Sequence, residues 1–156
     1  MPFESIDTYG DAGIRAFGSN CQEAFINAGL GMFNLITERE KVDIKKSIQI
    51  EIHADTLEGL LVRYLNELIF QFDTYGFIGK QIEFVSSAPE GLCTGPSQDS
   101  AQERSMPDYR IKVKVYGEDF DLKKHEQRLL IKAATYHNLK VRKINGEWEI
   151  EAIFDV

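Results

Sequence analysis

Cysteine is scarce in this chain. Cys21 and Cys93 are the only two, one in a helix-like stretch and one in a Gly/Pro-rich segment, so neither a disulfide scaffold nor a CxxC metal or redox spacing is present. A reducing cytoplasm is the expected compartment. Long apolar runs are missing as well: nothing approaches the roughly 18 residues of a membrane span. The start, MPFESIDTYG, carries acid where a secretory leader needs a basic residue and an apolar run, so neither export nor anchoring is expected. Basic residues are outnumbered, 18 Lys and Arg against 25 Asp and Glu, for a formal charge of -7. Direct RNA binding is therefore disfavoured, because it rests on Lys and Arg displacing counterions from phosphates. An acidic surface suits a divalent cation or a basic protein partner, although solubility alone accounts for the same surplus. No internal repeat, heptad or low-complexity tract interrupts the chain.

What is there is enough for one domain, residues 1–156. With 43% hydrophobic residues, a core can form without a metal. Phe3 to Ile6 and Ile14 to Gly18 read as strands around the turn-rich Asp7-Thr8-Tyr9-Gly10-Asp11. Ser19 and Asn20 are N-cap types, with Glu23 in capping-box position, and Phe25, Leu30, Phe33 and Leu35 mark a helix to about Thr37. Gly29 and Gly31 weaken that helix but admit a close neighbour. Lys45 to His53 alternates Ile48, Ile50 and Ile52 with polar residues, the period of a half-buried strand. Asp55, with Glu58, is the expected cap of a second helix whose stripe runs Leu57, Leu60, Leu61, Tyr64, Leu65, Leu68, Ile69 and Phe72 to near Tyr75-Gly76.

Beyond a strand at Phe77 to Val85, residues 86–108 collect Pro, Gly and Ser and read as an exposed flexible loop. Strands resume at Tyr109 to Tyr116 and at Leu130 to Lys143, with one or two helical turns expected between Asp121 and Arg128. Asn145-Gly146 signals a hairpin into a last strand, Glu147 to Phe154. The fold class is α+β, a mixed and largely antiparallel sheet with two helices packed on one face.

Acidic groups cluster at the two ends of the sequence. Asp7 and Asp11 flank the first turn, Asp155 is penultimate, and Val156 carries the last carboxylate of the sequence. Hard divalent cations take such oxygen ligands. If the last strand runs beside the first hairpin, these groups meet. Taken alone, an Asp in a turn is more often an Asx-turn former and a terminal Asp is more often frayed.

Five blocks change that balance: IDTYGDAGIRAFG, QEAFINAGLGMFNLIT, LEGLLVRYLNELIF, KKHEQRLLIKAATYHNLKV and WEIEAIFDV. In content and order they resemble the archease family, small accessory proteins of tRNA splicing. The resemblance covers nearly the whole chain. It implies metal ligands at Asp11, Asp155 and the carboxylate of Val156, with Asp7 a weaker auxiliary candidate behind them. It implies calcium as the cofactor, magnesium or manganese suiting the same donors. It also implies a partner, an RtcB-type RNA ligase whose guanylylation archeases promote, with RNA met only through the ligase. On this reading the chain is an activator and not itself an enzyme. One departure stands out: Thr8, Tyr9 and Gly10 occupy positions where the family usually has His, Thr and Ala, so any role of that histidine is absent or supplied differently.

Other residues have plainer readings to set beside functional ones. Lys124, His125, Lys132 and His137, with Thr135 and Tyr136, form a basic block that suits a partner-facing patch; the plainer reading solvates the cations and packs Tyr136 into the sheet. His137 lacks a second ligand at metal spacing. Gly10, Gly13 and Gly18 lack the Lys-Ser/Thr pair of a phosphate loop. Arg15 either contacts a partner's phosphates or, the plainer and favoured reading, flanks the sheet edge, and Glu58, Arg63 and Glu67 are expected to be solvated. Two other functions remain open. A metal-dependent hydrolase built on Asp11 and Asp155 is disfavoured because no histidine lies near either end to act as base. A metal-independent, chaperone-like module predicts that calcium leaves the melting temperature unchanged.

Overall fold

The computed structural model describes residues 3–8, 11–88 and 109–156, without the side chains of Asp7 and Thr8. Residues 89–108, which hold most of the expected exposed loop together with Cys93, lie outside the described residues, as do Tyr9 and Gly10.

Alternating apolar residues produce strands, and the strands divide into two antiparallel sheets. β1 (Phe3–Thr8), β2 (Asp11–Gly18), β6 (Ala133–Ala134), β7 (Lys140–Ile144) and β8 (Glu147–Asp155) form one, in the order β1-β2-β8-β6 with β7 also on β8. β3 (Lys46–Ala54), β5 (Tyr109–Asp119) and β4 (Phe77–Ala88) form the other, in that order. Helices α1 (Cys21–Ile36) and α2 (Leu57–Tyr75) join them. α1 packs on β1, β2 and β8 and also on β4, whereas α2 packs on β3, β4 and β5 and also on β6 and β7. The α+β class and its antiparallel pairing are as the pattern predicts. The single sheet divides in two because both helices carry apolar residues on more than one side.

The start of α1 follows its capping signal. Asn20 Oδ1 accepts from the Glu23 amide at 2.8 Å, while Glu23 Oε1 receives the Ser19 amide and hydroxyl at 2.7 and 2.8 Å. These contacts occupy amide donors that the first helical turn leaves free. α2 is capped one residue later than expected: Thr56, not Asp55, accepts from the Gly59 amide at 2.9 Å. The helix ends at Gly76, whose φ of 69° is left-handed. Along α2 the expected stripe is core, with Leu60, Leu61, Tyr64, Leu65 and Leu68 fully buried.

The region after β5 departs most from the sequence expectation. Only one hydrogen-bonded turn forms at Asp121, where its carbonyl receives the Lys124 and His125 amides at 2.9 and 2.6 Å. The expected strand from Leu130 to Lys143 breaks into β6 and β7, which both run antiparallel to β8, around a turn in which Asn138 has φ 53°. Asn145 and Gly146, at φ 53° and 80°, make the hairpin turn as predicted. Cys21 is buried and is not a free thiol, which departs from the reading of it as an ordinary reduced cysteine. No described helix is long and apolar enough to cross a membrane.

The helices meet where Tyr64 of α2 donates its hydroxyl to the Phe25 carbonyl of α1 at 2.9 Å. Gly29 makes that approach feasible. A Cβ there would stand 2.6 Å from the Tyr64 hydroxyl and 2.7 Å from Ile82 Cδ1. Replacing Gly29 by Ala gains about 1 kcal/mol of helix propensity but overpacks the joint by about 2–3 kcal/mol. The expected net loss of about 1–2 kcal/mol lowers Tm by roughly 2–6 °C, which a thermal melt followed by circular dichroism measures.

Candidate metal centre

The first hairpin and the last strand are neighbours. β2 pairs antiparallel with β8 without a register shift, from Gly18 against Trp148 to Ala12 against Phe154. Extended by one step, that register puts Asp11, the first residue of β2, opposite Asp155, the last residue of β8. Directly opposed residues in an antiparallel pair share a face, with Cβ atoms about 5 Å apart. Ile14, Ala16, Ile150, Ala152 and Phe154 fill the alternate positions and are buried against the core. The odd-numbered positions, Asp11 and Asp155 among them, therefore belong to the opposite face. Along that face Arg15 lies against Glu4, Glu149 and Glu151 at 2.7, 3.3 and 3.5 Å. Arg15 is thus an ion-pair hub on an interior strand, with β1 and β8 on either side, and does not flank the sheet edge as expected.

Gly13, between the two levels, lets the strands close. A Cβ on it would be 2.7 Å from Ile153 Cδ1 and 2.8 Å from the Ala152 carbonyl oxygen. Asp11 is half-buried and Asp155 exposed, while Val156 is 37% exposed. The other side of β8 is held by β6, where Ala133 pairs with Asp155 and the Lys132 amide donates to the Asp155 carbonyl at 2.8 Å. Asp7 pairs with Ala12, one position away from the Thr8 and Asp11 pair, and its side chain lies outside the described residues. Among the described residues, no group of three or more His, Cys, Asp or Glu forms a ready-made metal cluster. The donors at this sheet end are carboxylate oxygens, a set that fits a hard divalent cation and leaves most of its coordination to water or carbonyls. Asp11 and Asp155 thus stand one residue beyond the last paired positions of β2 and β8.

The basic block separates into two parts. His125, expected to face a partner, is buried at 1% exposure. Its Nδ1 accepts from the Asp121 amide at 2.9 Å, so its proton sits on Nε2, 2.9 Å from Glu118 Oε2. Phe120 stacks on the ring at 5.4 Å. Lys124 is also engaged within the chain, bridging Asp43 Oδ2 at 2.6 Å and Glu118 Oε2 at 2.7 Å. The sequence reading missed Glu118, for which no local signal exists. Lys132 and His137 are exposed on the connection beside β8, and Tyr136 is 63% exposed where packing into the sheet was the plainer reading.

Burial pushes the Glu118 carboxyl upward. The Asp43 amide, Lys124 and His125 outweigh that effect and bring its pKa to about 2, below its ordinary 4.5.

The fold defines a class: a small two-sheet α+β protein in which a strand near the start of the sequence pairs with the last strand. The Archease protein family (MTH1598/TM1083) matches residues 3–156. The archease of Pyrococcus furiosus is 31% identical over 155 residues, covering 99% of this chain and 98% of that protein. The archease of Pyrobaculum islandicum is 34% identical over 148 residues, 94% of this chain and 89% of that protein. The solution structure of Methanobacterium thermoautotrophicum protein 1598 superposes with a TM-score of 0.73 at 26% identity, over 99% of both chains. A Thermotoga maritima archease shares the fold, with a TM-score of 0.56 at 16% identity over 97% of this chain and 94% of that one. This chain belongs to the archease family.

The Glu118 cluster makes a pH prediction. A carboxyl held at about 2 against an ordinary 4.5 stabilises the fold fully above pH 4.5, and that contribution disappears as pH falls toward 2. The side chain is only 5% exposed, so the contribution is on the order of 3 kcal/mol. Urea unfolding at pH 7 and pH 3 should show Glu118→Gln less stable than the parent at pH 7, with the gap narrowing at pH 3.

Proposed function

We propose that this chain is an accessory protein that activates an RtcB-type tRNA-splicing RNA ligase by promoting its guanylylation and turnover. In this reading a divalent cation is held by Asp11, Asp155 and the carboxylate of Val156, with calcium the favoured ion and magnesium or manganese suited to the same oxygens. The observation that carries it is the β2–β8 register, which runs to Ala12 against Phe154, one residue short of Asp11 and Asp155. Extending it by one step supports a shared end of the sheet for residues near opposite ends of the sequence. Family membership supports the partner class, and the net charge of -7 suits contact with a protein better than contact with RNA itself.

The cation, when bound, supplies positive charge that offsets phosphate charge during nucleotidyl transfer. The chain's own residues do the positioning. Gly13 lets β2 and β8 approach, the paired backbones orient the two aspartates, and exposed Lys132 and His137 stand on the adjoining connection, where a partner can reach them. The Thermotoga maritima archease is described as a possible chaperone. A metal-independent, partner-binding role for this chain is the competing reading, and calcium separates the two.

At calcium a hundredfold above Kd, mass action adds about 2.7 kcal/mol, a Tm rise of roughly 5–10 °C. Asp11→Ala and Asp155→Ala should each abolish that rise while melting cooperatively without calcium, and should lose stimulation of multiple-turnover guanylylation by the copurified ligase. A parent protein that stimulates the ligase with no calcium response would favour the chaperone-like role. Ligase turnover indifferent to the parent protein would remove the accessory role itself.

A further inference from the structure

β6 is only two residues long, yet it forms one wall of the sheet end that carries Asp155. Its pairs are Ala133 with Asp155 and Ala134 with Phe154, reinforced by the Lys132 amide on the Asp155 carbonyl at 2.8 Å. The Thr135 amide and hydroxyl add bonds to the Ile153 carbonyl at 3.1 and 3.0 Å. So short a strand has little stability of its own. Its outer edge is met by a side chain: Asn66 Oδ1 accepts from the Ala134 amide at 2.8 Å, and Asn66 Nδ2 reaches the Ala134 carbonyl at 3.5 Å. The Asn66 amide, with one acceptor and two donors, thus completes the ladder as a neighbouring strand would.

Asn66 sits on α2 between buried Leu65 and buried Leu68, on a helix whose apolar stripe is held in the core. We propose that Asn66 is a positioning residue for the carboxylate end: by fixing β6 to α2 it holds the Asp155 backbone against β2, and so sets Asp155 relative to Asp11. This rests on the metal-holding role proposed above for Asp11 and Asp155. The amide touches neither carboxylate. It acts through Ala134 and the β6 ladder, the way outer hydrogen bonds commonly orient metal ligands.

The test compares calcium titrations, followed by calorimetry, of the parent, Asn66→Ala, Asn66→Asp and Asp155→Asn. Asn66→Ala should bind calcium about tenfold more weakly while keeping the parent's circular dichroism spectrum. Backbone hydrogen exchange at Lys132 and Thr135 should accelerate without change in β3 and β5. Asn66→Asp retains the oxygen that receives the Ala134 amide. At high ionic strength, where its added charge is screened, it should bind within about threefold of the parent, a rescue that general loosening does not produce. Where Asn66→Ala does not melt cooperatively, Asn66→Ser, too short to reach Ala134, takes its place with the same expectations. Calcium affinity unchanged in Asn66→Ala while Asp155→Asn loses it overturns the positioning role and leaves the metal site standing. A parent protein that binds neither calcium, magnesium nor manganese overturns both.

Discussion

The antiparallel pairing of β2 with β8 joins the first twenty residues of the chain to the last ten, and the candidate site depends on it. Closing so long a loop costs entropy that no local contact offsets. Compensation comes from burying Ile14, Ala16, Ile150, Ala152 and Phe154, together with α1, in one core. Because a slip of one residue would turn every side chain to the other face, the burial of the even-numbered positions also fixes where the odd-numbered ones point. The acid pair at the strand ends is a by-product of core packing on the other side of the same sheet.

A second constraint works on the segment from Phe120 to Lys132. It has little regular structure, yet it is tied down at intervals. Glu118 receives His125 and Lys124 near its start. Further along, the Arg128 amide donates to the Ile36 carbonyl at 2.7 Å and Arg128 Nη1 to the Asn34 carbonyl at 3.1 Å. α1 has no basic residue in its last turn, so Arg128 brings a cation from a distant part of the sequence to the negative end of that helix. The segment then delivers β6 to the edge of β8. Much of the basic block that suggested a docking patch is thereby engaged in holding the chain's own connection.

Elements with a strong local period were legible in the sequence. The α2 stripe, the Ile48, Ile50 and Ile52 alternation, the Asn20 cap and the Asn145-Gly146 turn all follow from neighbours within a few residues. The misreadings fall at a choice between neighbouring caps, at a local turn and at a side chain drawn into the interior. Thr56 displaced Asp55 as the cap, the stretch from Leu130 to Lys143 was cut by a left-handed Asn138, and His125 was drawn inside by Glu118, Asp121 and Phe120. Family likeness supplied Asp11 and Asp155 as candidates where their local context, a turn and a chain end, offered only commonplace roles.

By itself the sequence determined the α+β class, the two helices, most strand positions and the acidic character of both ends, because propensity, capping and hydrophobic period act over short separations. Tertiary structure alone decided that the strands divide into two sheets, that β2 pairs with β8 as far as Ala12 against Phe154, and that β6 is held by Asn66. Each of those outcomes depends on hydrogen bonds and buried surface shared between residues far apart in the chain, and such pairings leave no periodic trace in the order of amino acids.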